Sequence, residues 1–422
     1  MTAAARNRKG KGALRLLVVS QYFWPENFRI NDLARSLRGH GVDAAVLTGK
    51  PNYPQGKIFD GYRAGGVHRE VLDGMEVLRV PLLARGASGL RLALNYLSFV
   101  LSGMAFGPWL LRKKKFDAIF VYAPSPILQA IPAIMLGWLK RAPVILWVQD
   151  LWPASLSATG HVKNKLVLKA VEHVVRFIYR HVDLLLVQSE AFEAPVRALA
   201  GNTPVLYYPN SGDDSFSESS AAPAPALDGL DAPFPVLFAG NIGTAQAVDV
   251  IVEAAAMLRG HPEIAFVVVG DGSRRAWMLE EKARRQLDNL HLPGRYPVET
   301  MPAVMQQAGA LLVTLTDQEI FSYTVPSKLQ NYLAAGRPIV ASLNGEGARL
   351  VRRANAGVAV AAEDGAALAD AVLRLYRTDP VERARMGTNG ARYFAQHFSH
   401  DMLVGQLAAI VGSCIANRKD EQ

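Results

Sequence analysis

The sequence predicts an α/β fold in which two Rossmann-like, doubly wound domains face each other across a cleft. The first observation is size, because 422 residues exceed a single core and suggest two or three domains at roughly 150 residues each. The second is the alternation of short apolar runs with helical patterns, which is typical of parallel sheets covered on both faces. The third is that this alternation stops in a segment rich in Ser, Ala and Pro, residues 217–233, and then begins again.

Each predicted strand is a short, nearly continuous apolar run. The runs are residues 14–20, 42–48, 117–122, 143–148 and 183–187, followed by 234–239, 265–270, 310–315 and 337–342. We expect a first domain at 13–212, a linker at 213–233 and a second domain at 234–395. Residues 1–12 are expected to form a disordered basic tail, since the apolar run after them is too short for a signal peptide and lacks a small-residue cleavage site.

The composition narrows the kind of partner. The chain carries a formal net charge of +9 and has a pI near 9.6, which favours a nucleotide, a membrane surface or a nucleic acid. It shows neither zinc-ligand spacing nor basic residues interleaved with aromatic ones, so we expect no nucleic acid partner. Cys414 is the only cysteine, which rules out an internal disulfide and fits a reducing compartment such as the cytoplasm.

One long uncharged stretch bears on membrane binding. Residues 92–111 lack any charge and are followed by four basic residues, 112–115, so length and flank both suit a transmembrane helix. The stretch also contains Asn95 and Pro108, and a predicted strand begins a few residues later. It could span a bilayer, lie in the membrane interface, or be an ordinary buried helix. The residues leave these three interpretations open.

Residues 325–342 form the segment with the clearest ligand-binding pattern, a loop followed by a helix and a strand. Pro326 suits the first turn of a helix, where its missing N–H would lack a partner, and Gly336 is a typical C-cap. Ser327 and Lys328 then lie beside unpaired N–H groups and the positive dipole end, which favour a phosphate. The alternative is an ordinary capped helix with an exposed lysine.

Two glycine-containing turns follow predicted strands of the second domain. Glycine lets backbone N–H groups approach a diphosphate closely, and open α/β sheets bind ligands at the carboxyl ends of their strands. Each turn alone is a weak signal, because a tight turn without a ligand has the same composition. The candidate donor-binding residues in the two turns are Gly240, Asn241, Gly243 and Gln246, then Gly270, Gly272 and Arg274.

The order and spacing of these motifs resemble glycosyltransferase family four, the retaining transferases of GT-B fold. The likeness covers roughly residues 14–400 and is strongest to the branch that assembles bacterial colanic acid, capsule and O-antigen units, including fucosyl- and fucosamine-type transferases. The resemblance implies a nucleotide-sugar donor on the second domain and a lipid-linked acceptor on the first. It also implies that a C-terminal helix, 396–422, returns to the first domain.

On the donor side, the chain departs from the family pattern. Family members often place arginine and lysine where this chain has the two amide residues of the first turn, so Lys328 is the first candidate for the diphosphate and Arg274 the second. Tyr296 lies where the nucleotide base is usually held. Asn331 stands in place of a family glutamate, and it can still hydrogen-bond a ribose hydroxyl without charge assistance.

The catalytic candidates of the first domain follow a predicted strand. Related enzymes often have a histidine near the reacting sugar where this chain has Gln149. Asp150 would then be the nearest carboxylate, able to orient the acceptor hydroxyl or accept its proton. Alternatively, Asp150 caps the following helix. The residues leave both roles open.

Two further loops are expected to bind the acceptor. Asn27 and Arg29 follow the first strand, where Arg29 is available to a phosphate or an anionic acceptor and Asn27 can also cap the next helix. Asn52 and Tyr53 follow the second strand in a Lys-Pro-Asn-Tyr-Pro sequence that resembles the signature of the colanic-acid branch. A turn without any other role is the alternative for this sequence.

These expectations combine into one function and two rivals. We expect a retaining hexosyltransferase on the inner face of the plasma membrane, using a UDP- or GDP-linked sugar and a polyprenyl-diphosphate-linked acceptor. The chain has no D-x-D sequence, the carboxylate pair with which other transferases hold a divalent ion, so we expect no metal and no cofactor beyond the nucleotide-sugar co-substrate. The rivals are a sugar-nucleotide epimerase of the same fold and a non-catalytic binding subunit, which the missing acidic and basic pairs suggest.

Overall fold

A computed structural model describes residues 13–86, 88–158, 164–217 and 225–420. The chain divides into two compact units. The first unit comprises Met1–Gln188, Phe192–Tyr208 and Leu403–Gln422, and the second comprises Ser189–Ala191 and Pro209–Met402. The expected tail at 1–12 lies outside the described residues, as does 218–224 of the expected linker.

The first unit is built on an eight-stranded sheet. Its strands are β1 (Leu14–Val19), β2 (Val42–Thr48), β3 (His68–Leu72), β4 (Met75–Arg79), β5 (Ala118–Ala123), β6 (Val144–Val148), β7 (Leu184–Val187) and β8 (Val205–Tyr207). They lie in the order β3-β4-β2-β1-β5-β6-β7-β8. All neighbours are parallel except β3 and β4. The strand order reverses between β1 and β5, which creates a crevice at the carboxyl ends of the strands.

The helices of the first unit connect its strands, except for the last one, which ends the chain. They are α1 (Ile30–Ser36), α2 (Gly89–Leu111), α3 (Ala130–Lys140), α4 (Ala154–Ala158), α5 (Lys165–Arg180), α6 (Glu193–Ala200) and most of the last helix, α15 (His400–Asp420). The central strands of the sheet are apolar, and every residue of β5 and β6 is buried. Such strands read as continuous hydrophobic runs because both faces of the sheet are covered.

α2 is the long uncharged helix that the sequence indicated. One face packs into the first unit, where Asn95 is fully buried and hydrogen-bonds the side chain of Gln21 and the carbonyl of Leu83. The other face exposes apolar side chains, including Leu101 at 67 %. By length and composition alone, two stretches of the described chain could cross a membrane, Gly89–Leu111 and Pro380–Arg418, and half of the apolar window of the former is buried.

The second unit is built on a six-stranded, fully parallel sheet. Its strands are β9 (Phe234–Ala239), β10 (Ile264–Val269), β11 (Leu290–Gly294), β12 (Ala310–Thr314), β13 (Ile339–Ser342) and β14 (Gly357–Val360), in the order β11-β10-β9-β12-β13-β14. Its helices are α7 (Asp249–Met257), α8 (Arg275–Arg285), α9 (Met301–Gln306), α10 (Glu319–Ser322), α11 (Ser327–Ala335), α12 (Gly345–Arg353), α13 (Gly365–Arg377) and α14 (Pro380–His397). Two hydrophobic clusters form its core.

The predicted fold class is confirmed, since each unit is an α/β unit on a predominantly parallel sheet. All nine predicted strands are present with ends within two residues of the prediction. The β3–β4 hairpin and the strands β8, β11 and β14 were not predicted. The signal for the hairpin was available, because Asp73 and Gly74 both adopt positive φ and form the Asp-Gly turn that such hairpins favour.

Candidate active site

A cavity of about 430 Å³ opens in the second unit at the carboxyl ends of its strands. It lies beside β9, where the strand order reverses toward β12, which is the usual ligand site of an open parallel sheet. Its volume is within the range of small-molecule sites. The lining residues are Phe216, Ala239, Gly240, Asn241, Val269, Gly270, Asp271, Arg295, Tyr296, Val298, Met301, Met305, Lys328, Asn331 and Tyr332.

The lining has a polar part and an apolar part. The polar part combines the two glycine turns with the ammonium of Lys328 and the amides of Asn241 and Asn331. The apolar part contains Phe216 and Tyr296. It also contains Val298, Met301 and Met305, which lie in or just before α9. This division suits a ligand with a charged phosphate end and a flat aromatic end, as in a nucleoside diphosphate.

Lys328 is the central side chain of the polar part. Its amine donates a hydrogen bond to Gln246 Oε1 at 2.6 Å and lies 3.7 Å from the centre of the Phe238 ring. Burial lowers the pKa of Lys328 to about 7. No carboxylate of the described residues forms an ion pair with Lys328, so an anionic ligand would supply its missing counter-charge.

The glycines of the two turns pack so closely against each other and against Lys328 that a side chain at either position would collide with its neighbours. Gly240 has φ +135°, and a Cβ there would lie 2.9 Å from Lys328 Cε. Gly270 has φ +148°, and a Cβ there would lie 1.8 Å from the Gly240 carbonyl oxygen. From the sequence, these glycines were expected only to let a diphosphate approach closely. The structure adds a packing reason for both.

α11 is fastened to the end of β9 beside the cavity. The Tyr332 hydroxyl accepts a hydrogen bond from the Ala239 N–H at 2.9 Å and donates to the Ala239 carbonyl at 3.3 Å. Asn331, one residue earlier, accepts a hydrogen bond from the Asp213 N–H at 3.2 Å. Its amide NH₂ group is thus the part of the side chain available as a donor to a ribose hydroxyl.

The structure brings together six of the predicted donor-binding residues as cavity lining, namely Gly240, Asn241, Gly270, Tyr296, Lys328 and Asn331. Gly243, Gly272 and Ser327 lie on the same turns and helix but do not line the cavity. Gln246 is also outside the lining, although it holds the Lys328 amine. Pro326 precedes the helix as its N-cap instead of occupying the first turn, and Ser327 begins α11.

Arg274 is placed differently from the expectation that it binds phosphate. Its guanidinium forms an ion pair with Asp249 and lies 4.0 Å from the centre of the Trp277 ring. It does not line the cavity. Arg274 therefore forms a surface ion pair. Arg295 does line the cavity and is the better candidate for a second cation that contacts the phosphates.

Several lining residues were not among the sequence-based candidates. Phe216 lies in the expected linker, where nothing in the sequence distinguishes a cavity residue from a solvated one. Met301 and Met305 recur at helical spacing on α9, which is also the pattern of an ordinary core face. Only the tertiary arrangement separates these possibilities.

The catalytic candidates of the first unit lie just after β6. Gln149 Nε2 is buried and forms no hydrogen bond with any described residue. Burial raises the pKa of the Asp150 carboxyl, and the nearby side chains of Ser155 and Trp152 and the Leu151 N–H oppose that rise. Those groups belong to the segment that begins α4, which supports a capping role for Asp150. A catalytic role for Asp150 stays a proposal.

The predicted acceptor residues differ in what they contact. Asn52 is fully buried, accepts from the Arg85 N–H at 2.9 Å and donates to the Lys50 carbonyl at 2.9 Å. This corrects the expectation of an acceptor contact, because its amide already joins two loops. Tyr53 is 36 % exposed and can contact a ligand.

The loop after β1 also differs from the expectation. Asn27 is exposed and does not cap α1, whose N-cap is Arg29 without a side-chain capping bond. Arg29 is half-buried and lies close enough to Tyr122 to affect the pKa of its hydroxyl. Both residues nevertheless remain at the carboxyl ends of the strands, the edge of the sheet where ligands bind.

Comparison with known proteins bears on both units. The family model "Glycosyl transferase 4-like domain" matches residues 27–211, and "Glycosyl transferases group 1" matches residues 233–378. The chain is 27 % identical over 339 residues to a putative colanic acid biosynthesis glycosyl transferase of Escherichia coli, WcaI. That alignment covers 76 % of this chain and 82 % of the relative.

Solved structures of low sequence identity share the fold. A trehalose-6-phosphate protein from E. coli bound with UDP-2-fluoro glucose matches with a TM-score of 0.70 and 13 % identity, over 94 % of this chain and 98 % of that one. Anabaena HepE in complex with UDP matches with a TM-score of 0.66 and 14 % identity, over 95 % and 100 %. The two family models together span most of both units, so the chain belongs to the family-four glycosyltransferases of GT-B fold.

Proposed function

We propose that this glycosyltransferase binds a UDP- or GDP-linked sugar in the cavity of its second unit. The observation that carries the proposal is the partly buried amine of Lys328, which lies between two glycine turns and has no carboxylate partner among the described residues. A diphosphate placed there would restore the charge balance of the amine. The apolar lining around Tyr296 and Phe216 would receive the base.

Two comparisons support this placement. E. coli and Anabaena proteins of the same fold were solved with UDP or a UDP-sugar. The colanic acid relative supports a role in polysaccharide biosynthesis. We propose a deoxy sugar of the fucosamine type as the transferred group and a polyprenyl-diphosphate-linked saccharide as acceptor, in the assembly of colanic acid, capsule or O-antigen units.

The proposed reaction retains the configuration of the donor sugar. The acceptor hydroxyl attacks the anomeric carbon, the bond to the diphosphate breaks on the same face, and the leaving diphosphate takes the hydroxyl proton. Lys328 stabilises the charge that develops on the diphosphate, so the proposal requires no metal ion. Asp150 orients the acceptor hydroxyl, and Gln149 offers an unpaired N–H₂ group beside it.

The proposed cellular site is the inner face of the plasma membrane. The exposed face of α2 carries Leu90, Leu101 and Trp109 at 72 %, 67 % and 53 % exposure. Three exposed cations follow it, Arg112, Lys113 and Lys115. An apolar helix face with basic residues at its end is the composition of a helix that lies in the interface of an anionic membrane.

The function is tested by supplying sugar nucleotides with and without a lipid-linked acceptor. A bound donor at about 100 times its dissociation constant stabilises the protein by about 2.7 kcal/mol, so thermal shifts identify the donor. Transfer to the acceptor, with the anomeric configuration of product and donor equal by NMR, is the expected result. Release of an isomerised sugar nucleotide without acceptor would instead indicate the epimerase, and failure to bind any sugar nucleotide would indicate a non-catalytic subunit.

A further inference from the structure

Arg85 of the first unit is a charged residue without a role in the proposed transfer reaction. Arg85 follows β4 and precedes α2, and it is half-buried. Its guanidinium carbon lies 5.3 Å from the centre of the Tyr53 ring. No carboxylate of the described residues forms an ion pair with it, whereas many arginines of this chain pair with Asp or Glu. An unpaired, half-buried guanidinium is a typical oxyanion-binding group.

The backbone around Arg85 is held in place from several sides. The Arg85 N–H donates to Asn52 Oδ1 at 2.9 Å, and the Leu83 carbonyl accepts from Asn95 Nδ2 at 2.6 Å. Gly56 has φ +72°, and a Cβ there would lie 2.4 Å from the Arg85 carbonyl oxygen. The loop after β2 is thus packed directly against this residue. A site whose supporting backbone is fixed in this way is pre-organised for a ligand.

A second observation at the same place points to a ligand. The Tyr22 side chain is only 2 % exposed, and its hydroxyl has no partner at full hydrogen-bond distance among the described residues, with Arg85 and Tyr96 as its polar neighbours. The Arg85 guanidinium nevertheless lies near enough to lower the pKa of this hydroxyl, against the rise caused by burial. Burial raises the pKa of the Tyr96 hydroxyl, and the Arg85 guanidinium opposes this rise while the charge of Asp150 adds to it. Arg85 and a buried hydroxyl therefore adjoin the residues proposed to hold the acceptor.

We propose that Arg85 and the Tyr22 hydroxyl form an oxyanion subsite that binds the diphosphate of the lipid-linked acceptor. The inference rests on the proposed function, which supplies the acceptor class. The position favours a lipid diphosphate because α2, with its exposed apolar face, begins at Gly89, four residues after Arg85. A headgroup at the membrane surface would lie next to this segment. A uronic acid in the acceptor saccharide would offer the same oxyanion chemistry from another source.

The test measures binding of farnesyl diphosphate, farnesol and glucuronate to the full-length chain by calorimetry. The wild type should bind farnesyl diphosphate more tightly than farnesol, and Arg85→Gln should weaken the diphosphate by about tenfold, as expected for loss of a charged hydrogen-bonding partner. Farnesol binding should not change. Preference for glucuronate over farnesyl diphosphate, lost in the same variant, would overturn the lipid assignment.

The matched control is Arg180→Gln. Arg180 is exposed and ends α5, which leads into β7, so it lies at the opposite edge of the sheet. This variant should bind farnesyl diphosphate like the wild type, and an equal loss in both variants would overturn the subsite. Binding of UDP or GDP, whichever the wild type binds, is measured in each variant and shows that the protein is folded. Failure of donor binding in the wild type would refute the proposed function while leaving the Arg85 result interpretable.

Discussion

Lys328 is a partly buried cation whose nearest partners are an amide oxygen and an aromatic ring. Such a group is costly to keep charged without an anion, which explains why its pKa falls to about 7. The same property makes the amine responsive to a diphosphate, because the ligand stabilises the protonated form. Charge on this residue and occupancy of the cavity are therefore linked.

This linkage predicts how donor affinity depends on pH. Below pH 7 the unliganded lysine is already protonated, so its contribution to binding is constant. Above pH 7 the free protein loses the proton and binding must take it up again, so the association constant should fall by up to about tenfold per pH unit. Calorimetry with UDP or GDP from pH 6 to pH 9 measures this slope. Lys328→Met should show a nearly flat profile, and an equally steep one would assign the pH dependence to another group.

Asp150 gives a second prediction for a single side chain. If its carboxylate orients the acceptor hydroxyl, Asp150→Asn should lower kcat by roughly 100-fold or more while donor affinity changes little. The change keeps the size of the side chain and much of its capping ability. Turnover and donor affinity are measured separately on the same preparation. A variant with normal kcat but a lower melting temperature would identify Asp150 as a helix cap only.

Individual residues were predictable where the local sequence determines their position. Lys328 follows a proline at the start of a helix, so its place beside unpaired N–H groups could be read from the sequence. Arg274 and Asn52 could not be assigned in this way. Their partners, Asp249 and the Arg85 N–H, are distant in sequence, and only the folded chain shows that these side chains are already engaged.

One hydroxyl links helix α11 to the neighbouring sheet, in addition to its buried apolar face. Tyr332 joins this helix to the end of β9, and Lys328 lies one turn earlier on the same helix. Tyr332→Phe would leave the buried Ala239 N–H without a partner, which should destabilise the protein by about 1–3 kcal/mol. We also expect donor affinity to fall several-fold, since Lys328 would be held less firmly.

The control for this change is Tyr376→Phe on α13. Tyr376 packs on Phe234 at 5.6 Å between ring centres, and its hydroxyl forms no hydrogen bond with the described residues. Urea denaturation and calorimetry should show little change in this variant. Equal effects of the two substitutions would mean that the Tyr332 hydroxyl has no special part in holding α11.

The exposed face of α2 predicts membrane binding that can be disrupted at one position. Leu101→Glu places a charge on this face and should weaken binding to vesicles containing anionic lipid by about tenfold or more. Vesicle sedimentation measures the bound fraction. High salt should weaken wild-type binding as well, because it screens the attraction between lipid and the three cations after the helix.

Val71→Glu is the matched control for this helix. Val71 lies on β3 and is 72 % exposed, similar to Leu101. A general effect of added negative charge would appear equally in both variants. If Leu101→Glu binds vesicles as well as Val71→Glu does, α2 is not the membrane-binding surface.

Strands were easier to predict than the rest of the fold because buried parallel strands are continuous apolar runs. The edge strand β3 alternates exposed and half-buried residues, so this signal is missing there. For α2, composition alone did not distinguish between a spanning helix, an interfacial helix and a buried helix. Its buried Asn95 and exposed Leu101 are on different faces, and only the packing shows which residues lie on each.

For the whole molecule, the division into two α/β units was predictable and its details were not. The alternation of strands and helices restarts after the linker, which reveals a second sheet. That Leu403–Gln422 groups with the first unit cannot be read from a helical pattern, because the pattern does not say what the helix packs against. The position of Phe216 in the cavity depends on the same kind of long-range arrangement.

The central claim is that the second unit binds a diphosphate through Lys328. It is tested by calorimetric titration of UDP, UMP, GDP and GMP into the wild type and Lys328→Met at pH 6, where the lysine is charged. We predict that the wild type binds the diphosphate of its base about tenfold or more tighter than the monophosphate, and that the variant loses this preference. A Lys328→Met protein that still prefers the diphosphate by the same factor would contradict the account.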